Sequence, residues 1–296
     1  MGRKREWTNY NKQLVNRGKI HFWISPKALK NWFAARCKKN GHPFVYSNQL
    51  IQVICYVRFK FRLSLRETEG FISSFLAALR KQLRVPSYTQ ICRRMKMLEL
   101  PKELLEKRNV KDIVLDTTGL KVYGEGEWLA ENYGGKKHWR KLHLAMDMKT
   151  GKLILAEITH KHAHDTRYLE KALNNTNRRK GKVLFDGIAD SLRCYQMSRN
   201  RNKQLLTPPK NGAIFREEPQ LKPRNDAIRI IRGFGNDQIG KSLWGKFVGY
   251  NRRVEIESMM SRWKRIYGGD LKSRCTERQK NEVQLKAMMI NAMIDA

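Results

Sequence analysis

Two aspartates stand where buried strands are expected. Asp116 closes the apolar run Ile113-Val114-Leu115, and Asp186 closes Val183-Leu184-Phe185. A carboxylate after three apolar strand residues is costly to bury without a partner. A divalent cation would relieve two such carboxylates on neighbouring strands. With a third acid they would form an oxygen-rich site for two Mg²⁺ or Mn²⁺ ions about 4 Å apart, the arrangement that serves phosphoryl transfer. Glu257, in the segment YNRRVEIESMMSRWKR at 250–265, is the natural third acid. Wound as one helix at about 100° per residue, Tyr250, Arg253, Glu257 and Lys264 share an arc of roughly 60°, and Glu255 points about 160° away from Glu257. Ile256, Met259, Met260, Trp263 and Tyr267 form an apolar stripe beside that arc, so the helix can dock on a core and hold the polar row at its edge. Taken singly, the aspartates also suit strand-end caps or turns, and the helix row suits a surface ion-pair ladder. Asp190 is the rival of Asp186 for the second position; Asp186 is favoured because it ends the strand.

These acids need a frame of strands and helices. From residue 109 onward the pattern turns β-rich: IVLDTTG as a strand, then KLHLAMD and KLILAEI as a hairpin around a turn at Met148 to Gly151. A helix from about Asp165 to Asn174 comes next, with Asp165 as its cap. KVLFDG, a helix from about Ser191 to Arg199, and KQLLTP complete the set. This order predicts an α/β fold with an RNase H-like core over 109–296, a mixed five-stranded sheet flanked by helices. Pro208-Pro209, Pro219, Pro223 and several glycines predict an irregular insertion at about 208–248. Residues 1–108 are expected to be all-α. Ser25-Pro26 offers a helix start, and SLRE at Ser64 to Glu67 and SYTQ at Ser87 to Gln90 match the capping box. The two helices joined through Val85-Pro86 suit a helix-turn-helix, with Arg93, Arg94 and Lys96 placed to bind DNA; an ordinary helical bundle with a solvated basic face fits the same pattern.

Lys and Arg number 61 against 27 Asp and Glu, a formal charge of +34. So large an excess calls for a polyanion, and nucleic acid is the expected partner. The five cysteines form no CxxC pair, which argues against a zinc finger or a disulfide framework and suits a reducing cytoplasm. No apolar run reaches the roughly 20 residues that span a bilayer, so no membrane role is expected. GNDQIGKS at Gly235 to Ser242 fits the P-loop pattern, but the helical character of the residues after it argues for a glycine-rich turn. His160, His162 and His164 alternate as strand residues do, but with no cysteine nearby and His143 alone as a fourth ligand, a zinc site is not expected.

Tyr250-x2-Arg253-x3-Glu257-x6-Lys264 matches in full the Tyr-Arg-Glu-Lys signature of the DDE transposases of bacterial insertion sequences, in the superfamily joining families four and five. DTTGLKVYGEGEW and WRKLHLAMDMKTG resemble the segment around that family's first aspartate and the hairpin after it. FDGIADS resembles the Asp-Gly-Ala-Tyr-Asp-Thr segment around the second, with Ala189 in place of the tyrosine. The N-terminal helical segments are similar to those of family five. The resemblance implies that Asp116, Asp186 and Glu257 bind two catalytic Mg²⁺ or Mn²⁺ ions, and that Tyr250, Arg253 and Lys264 contact transposon-end phosphates. It also implies a transposase that binds terminal inverted repeats, cleaves DNA and joins strands to target DNA, working as a homodimer in the bacterial cytoplasm at the nucleoid. Two other functions use the same residues: a catalytically inactive or repurposed DNA-binding derivative, and an RNase H-like nuclease without strand joining.

Overall fold

The computed structural model describes residues 6–19, 24, 26–35, 43–122, 139–235 and 237–296. Ser25, Cys37 and the end of the DTTGLKVYGEGEW segment lie outside them. The chain divides into two compact units, one of Met1–Pro101 with Lys272–Ala296 and the other of Lys102–Leu271.

The helical unit contains α1 (Trp7–Asn16), α2 (Pro26–Lys30), α3 (Asn48–Lys60), α4 (Leu65–Ala78), α5 (Tyr88–Lys96) and, from the far end of the chain, α11 (Thr276–Asp295). Both expected capping boxes form: Ser64 and Ser87 accept from the backbones of Glu67 and Gln90, whose side chains return the bond. The expectation that everything after residue 108 belongs with the sheet needs correction at α11. Val283, Ala287, Met289 and Ile290 are buried on that helix, and it packs on α3 and α5. Its polar anchor is Glu282, which is 0% exposed beside Lys286 at 2%, with the carboxylate 2.6 Å from the ammonium. Glu282 also accepts from the backbones of Lys272 and Ser273, at 3.0 Å each.

The second unit is built on a mixed sheet in the order β3-β2-β1-β4-β5. Its strands are β1 (Ile113–Val122), β2 (Trp139–Asp147), β3 (Leu153–His160), β4 (Gly181–Leu184) and β5 (Lys203–Leu206). β1, β2 and β3 pair antiparallel, while β4 pairs parallel with β1, and β5 with β4. Three antiparallel strands followed by two parallel ones reached through crossover helices is the RNase H-like order. The crossovers are α6 (Thr166–Asn174) and α7 (Leu192–Arg199), packed over Ile113, Leu115, Val183, Phe185 and Leu205. A sixth strand, β6 (Asp270–Leu271), pairs with the end of β1; two residues are too few to show as a pattern in sequence.

The 208–248 segment departs from expectation. It contains two helices, α8 (Lys222–Gly233) and α9 (Asp237–Val248), after a 3₁₀ turn at Pro219–Leu221. Pro219 and Pro223 sit at helix starts, where a missing N–H costs nothing, so they open these helices instead of breaking them. Gly240, Lys241 and Ser242 lie within α9, which leaves no phosphate-cradling loop. A Cβ on Gly240 would stand 2.4 Å from the Ile231 carbonyl oxygen. Gly240→Ala is therefore expected to destabilise the protein by about 1–3 kcal/mol in urea unfolding, because the obstacle is backbone.

Candidate active site

Val114 registers with Leu184 at the last rung of the parallel pair β1–β4, so Asp116 and Asp186, each two residues on, leave that pair side by side, close enough for the Asp116 charge to act on Asp186. Asp116 closes its apolar run but not its strand. β1 runs on for six residues, held by β2, because Thr117 and Thr118 suit a pleated surface. β4 stops at Leu184 instead, and β6 pairs only from Lys121. The sheet forks between them, and Asp116 stands in the fork. By strand alternation Asp116 lies on the face opposite Leu115, whose side chain belongs to the α6–α7 core.

α10 (Val254–Tyr267) packs against β1 and β2 on this side, with Ile256, Met259, Met260, Trp263 and Tyr267 buried as the sequence pattern required. The single helix expected from residue 250 is corrected at its start. Gly249 takes a left-handed φ of 81°, and Tyr250–Arg253 form a 3₁₀ turn. With three residues per turn, Tyr250 and Arg253 eclipse each other, so the shared face survives the break. Tyr250 donates to the Phe185 carbonyl at 3.1 Å, which ties the turn to the residue before Asp186.

Arg253 is the hub. Its guanidinium lies 3.0 Å from Glu257 and 3.6 Å from Asp116. Burial raises the Asp116 carboxyl above the usual range, against the lowering effects of the Thr117 backbone bond and Arg253. Burial raises Asp186 likewise, and the Asp116 charge adds to it. The Tyr250 phenol is pushed up to about 12, first by burial, with Arg253 opposing and all three acids adding. Glu255 turns away to Arg252 at 2.7 Å, as its angular position requires.

Other candidate positions are engaged elsewhere. Asp190 is buried, held by Arg224 at 2.9 Å and by the Lys210 backbone at 2.9 Å, so it is taken up structurally. Asp165 makes no capping bond to α6; its carboxylate is drawn to Lys141 at 2.9 Å, and its charge reaches Asp116 and Asp186. This fourth acid was missed because a cap and an ion-pair partner share the same residue type. His143 is stacked on Tyr168 and bonded to Thr117 and Thr159, and burial lowers its pKa to about 4; His160 lies against Arg140. In the helical unit Arg94 is only 6% exposed. It donates to the Tyr46 carbonyl and to Asn48 at 2.7 and 2.6 Å and lies over the Phe44 ring. Arg94 thus props its own fold, and Arg93 and Lys96 remain exposed on α5. Lys264 is exposed on α10.

The donors of Asp116, Asp186 and Glu257 are all oxygen, and two partly buried like charges gain from a hard divalent cation, so the residues fit such a group. As the side chains stand, no three Asp, Glu, His or Cys among the described residues are grouped closely enough to hold a metal ion; a guanidinium stands between Asp116 and Glu257.

Comparison with known families decides the identity. A model described as a transposase DDE domain matches residues 111–292, more than half of the chain, and another of the same description matches residues 15–125. The chain belongs to the DDE transposase family. This DDE transposase is therefore a DNA-cleaving enzyme with DNA as its substrate. A cryo-EM structure of the piggyBac transposase synaptic complex with hairpin DNA is similar over 93% of this chain and 73% of its own, at a TM-score of 0.46 and 8% identity. No described helix of the transposase is long and apolar enough to cross a membrane.

The electrostatics of the site predict a stability cost. With its pKa raised by burial, Asp186 binds its proton more tightly folded than unfolded. Stability contributed by the protonated form is lost as pH rises through the raised value, and the cost is fully present at neutral pH. Asp186→Asn is expected to raise the metal-free melting temperature at pH 7 by roughly 1–3 °C, discounted for the water that still reaches the group. Millimolar Mg²⁺ should raise the melting temperature of the wild type and leave the variant unmoved.

Proposed function

We propose that the chain binds the terminal inverted repeats of an insertion sequence as a homodimer, cleaves DNA there and transfers strands to target DNA, at the nucleoid of a bacterial cell. The observation that carries this reading is the convergence of Asp116 and Asp186, each two residues past the last rung of the β1–β4 pair, on Arg253, with Glu257 beside it. Asp116, Asp186 and Glu257 would hold two Mg²⁺ or Mn²⁺ ions. When bound, such ions supply Lewis acidity at the scissile phosphate and at the attacking oxygen.

The chain's own residues position and neutralise. The guanidinium of Arg253 offers a planar fork to phosphate oxygens once Asp116 and Glu257 no longer engage it, and Lys264 adds a point charge farther along α10. Tyr250 keeps its proton and donates it to the Phe185 carbonyl, which anchors the 3₁₀ turn and leaves an uncharged phenol beside the anion. Arg93 and Lys96 of α5 would hold DNA by its backbone.

Incubating the protein with a duplex carrying the element's end and a target duplex, in Mg²⁺ or Mn²⁺, tests the reading. Joined products support it. Cleavage without joining would reduce it to a nuclease, and binding without cleavage to a DNA-binding derivative.

A further inference from the structure

We infer that the sheet unit has a second site for DNA-backbone phosphates, in a cleft of about 560 Å³ at the end of the β4–β5 pair away from the carboxylates. The inference takes its ligand class from the transposase reading. Lys180 precedes β4, Asn202 precedes β5 and Lys203 opens it, while Asp186 lies beyond the other end of β4. Six residues of extended chain from Lys180 to Asp186 span about 20 Å. A duplex engaged at the carboxylates covers that distance in about six base-pair steps.

The charges of the cleft are not balanced by the protein. Lys180, Arg199 and Lys222 line it and are exposed, and among the described residues none of the three has an ion-pair partner. The acid in the lining, Asp226, is turned to Arg229 at 3.5 Å. Lys203 is 4% exposed, and its ammonium is fixed by the Arg179 carbonyl at 2.8 Å and Asn177 at 3.3 Å. That charge cannot swing into solvent; its hydrogen-bond acceptors are uncharged, and the acid whose charge acts on it, Asp112, is not among the residues lining the cleft. The α8 wall repeats the imbalance: its first turn carries Lys222 and no acid, placing a cation at the positive end of a helix. A phosphate diester lying across Lys180, Arg199 and Lys222 relieves both repulsions. Asn202, Gln204 and Gln220 add neutral donors, and β5 is the outer strand of the sheet, so the cleft opens at an edge that a long ligand can cross.

The test is the salt dependence of binding to a 40-bp end duplex, read by fluorescence anisotropy for the wild type and for Lys180→Ala/Arg199→Ala/Lys222→Ala. Each phosphate contact contributes about 0.9 to the slope of log K against log salt. The triple variant is expected to lose about 2.7 from that slope while keeping the wild-type melting temperature and Mg²⁺-dependent nicking of a duplex too short to reach the cleft. A second triple, Lys102→Ala/Lys149→Ala/Lys161→Ala, removes the same charge from exposed positions elsewhere in the unit. An unchanged slope in the first variant, or an equal loss in both, overturns the inference. So does millimolar pyrophosphate that binds the wild type through these three cations yet leaves its duplex affinity unchanged, since that marks a free-phosphate pocket. Failure of the wild type to bind any duplex would overturn the transposase reading itself.

Discussion

Glu257→Gln is expected to lower end cleavage by roughly 10³-fold or more while duplex affinity stays within a few-fold of wild type. The size comes from removing one of three carboxylates proposed to hold the ions, since their stabilisation of a transferring phosphoryl group is worth several kcal/mol. The fold should survive. Glu257 is half exposed, its ion pair with Arg253 is reachable by solvent, and such pairs contribute about 1 kcal/mol or less. Arg253 keeps Asp116 at 3.6 Å, so the turn that presents Tyr250 has a second tether. Melting temperature, gel-shift affinity and nicking of a labelled end duplex, measured together, separate the cases. A folded variant that no longer binds DNA would show that Glu257 acts in binding.

Glu282→Ala should unfold the helical unit more readily by about 3–5 kcal/mol, a large share of the 5–15 kcal/mol that holds most domains together. The variant takes from the Lys286 ammonium, in a nearly dry core, the carboxylate 2.6 Å away and removes the acceptor of the Lys272 and Ser273 amides. Urea titration gives the number, and Glu282→Ala/Lys286→Met should regain part of it because the buried cation goes together with its carboxylate. Burial by itself would push the Glu282 carboxyl up, but Lys286 and the hydrogen bonds outweigh it and hold the pKa below the ordinary glutamate value. A depressed carboxylate stabilises above its unfolded pKa, so this contribution is present at neutral pH and disappears as pH falls below about 4. A wild type whose stability stayed flat through that acid range would contradict the role given to the pair.

Period and local chemistry made part of this molecule legible from its residues alone. The stripe Ile256, Met259, Met260, Trp263 and Tyr267 recurs with a helix period and is buried throughout; both capping boxes are local bonds between residues three apart. Asp116 and Asp186 stood out because an acid after three apolar strand residues needs an explanation. Other features depend on residues far away in the chain. Arg94 resembles Arg93 until Tyr46 and Asn48, more than forty residues earlier, close around it. Asp165 resembles a cap until Lys141 claims it. The prolines of the insertion suggested disorder of pattern because a proline signals a helix start and a helix break with the same letter; only its position in α8 separates the two. The end of β1 went unread since a strand's length is set by its neighbours, here β2 and β6.

The placement of α11 among the first helices sets a schedule for synthesis. The buried surface on α3 and α5 that α11 covers is made early, but its cover leaves the ribosome only after some 195 further residues, roughly 10–40 s later at 5–20 residues per second. The sheet unit, whose elements are contiguous, can close in that interval. The helices α1–α5 are therefore finished after the sheet unit, and a chain cut short before α11 forfeits the fold they share with it.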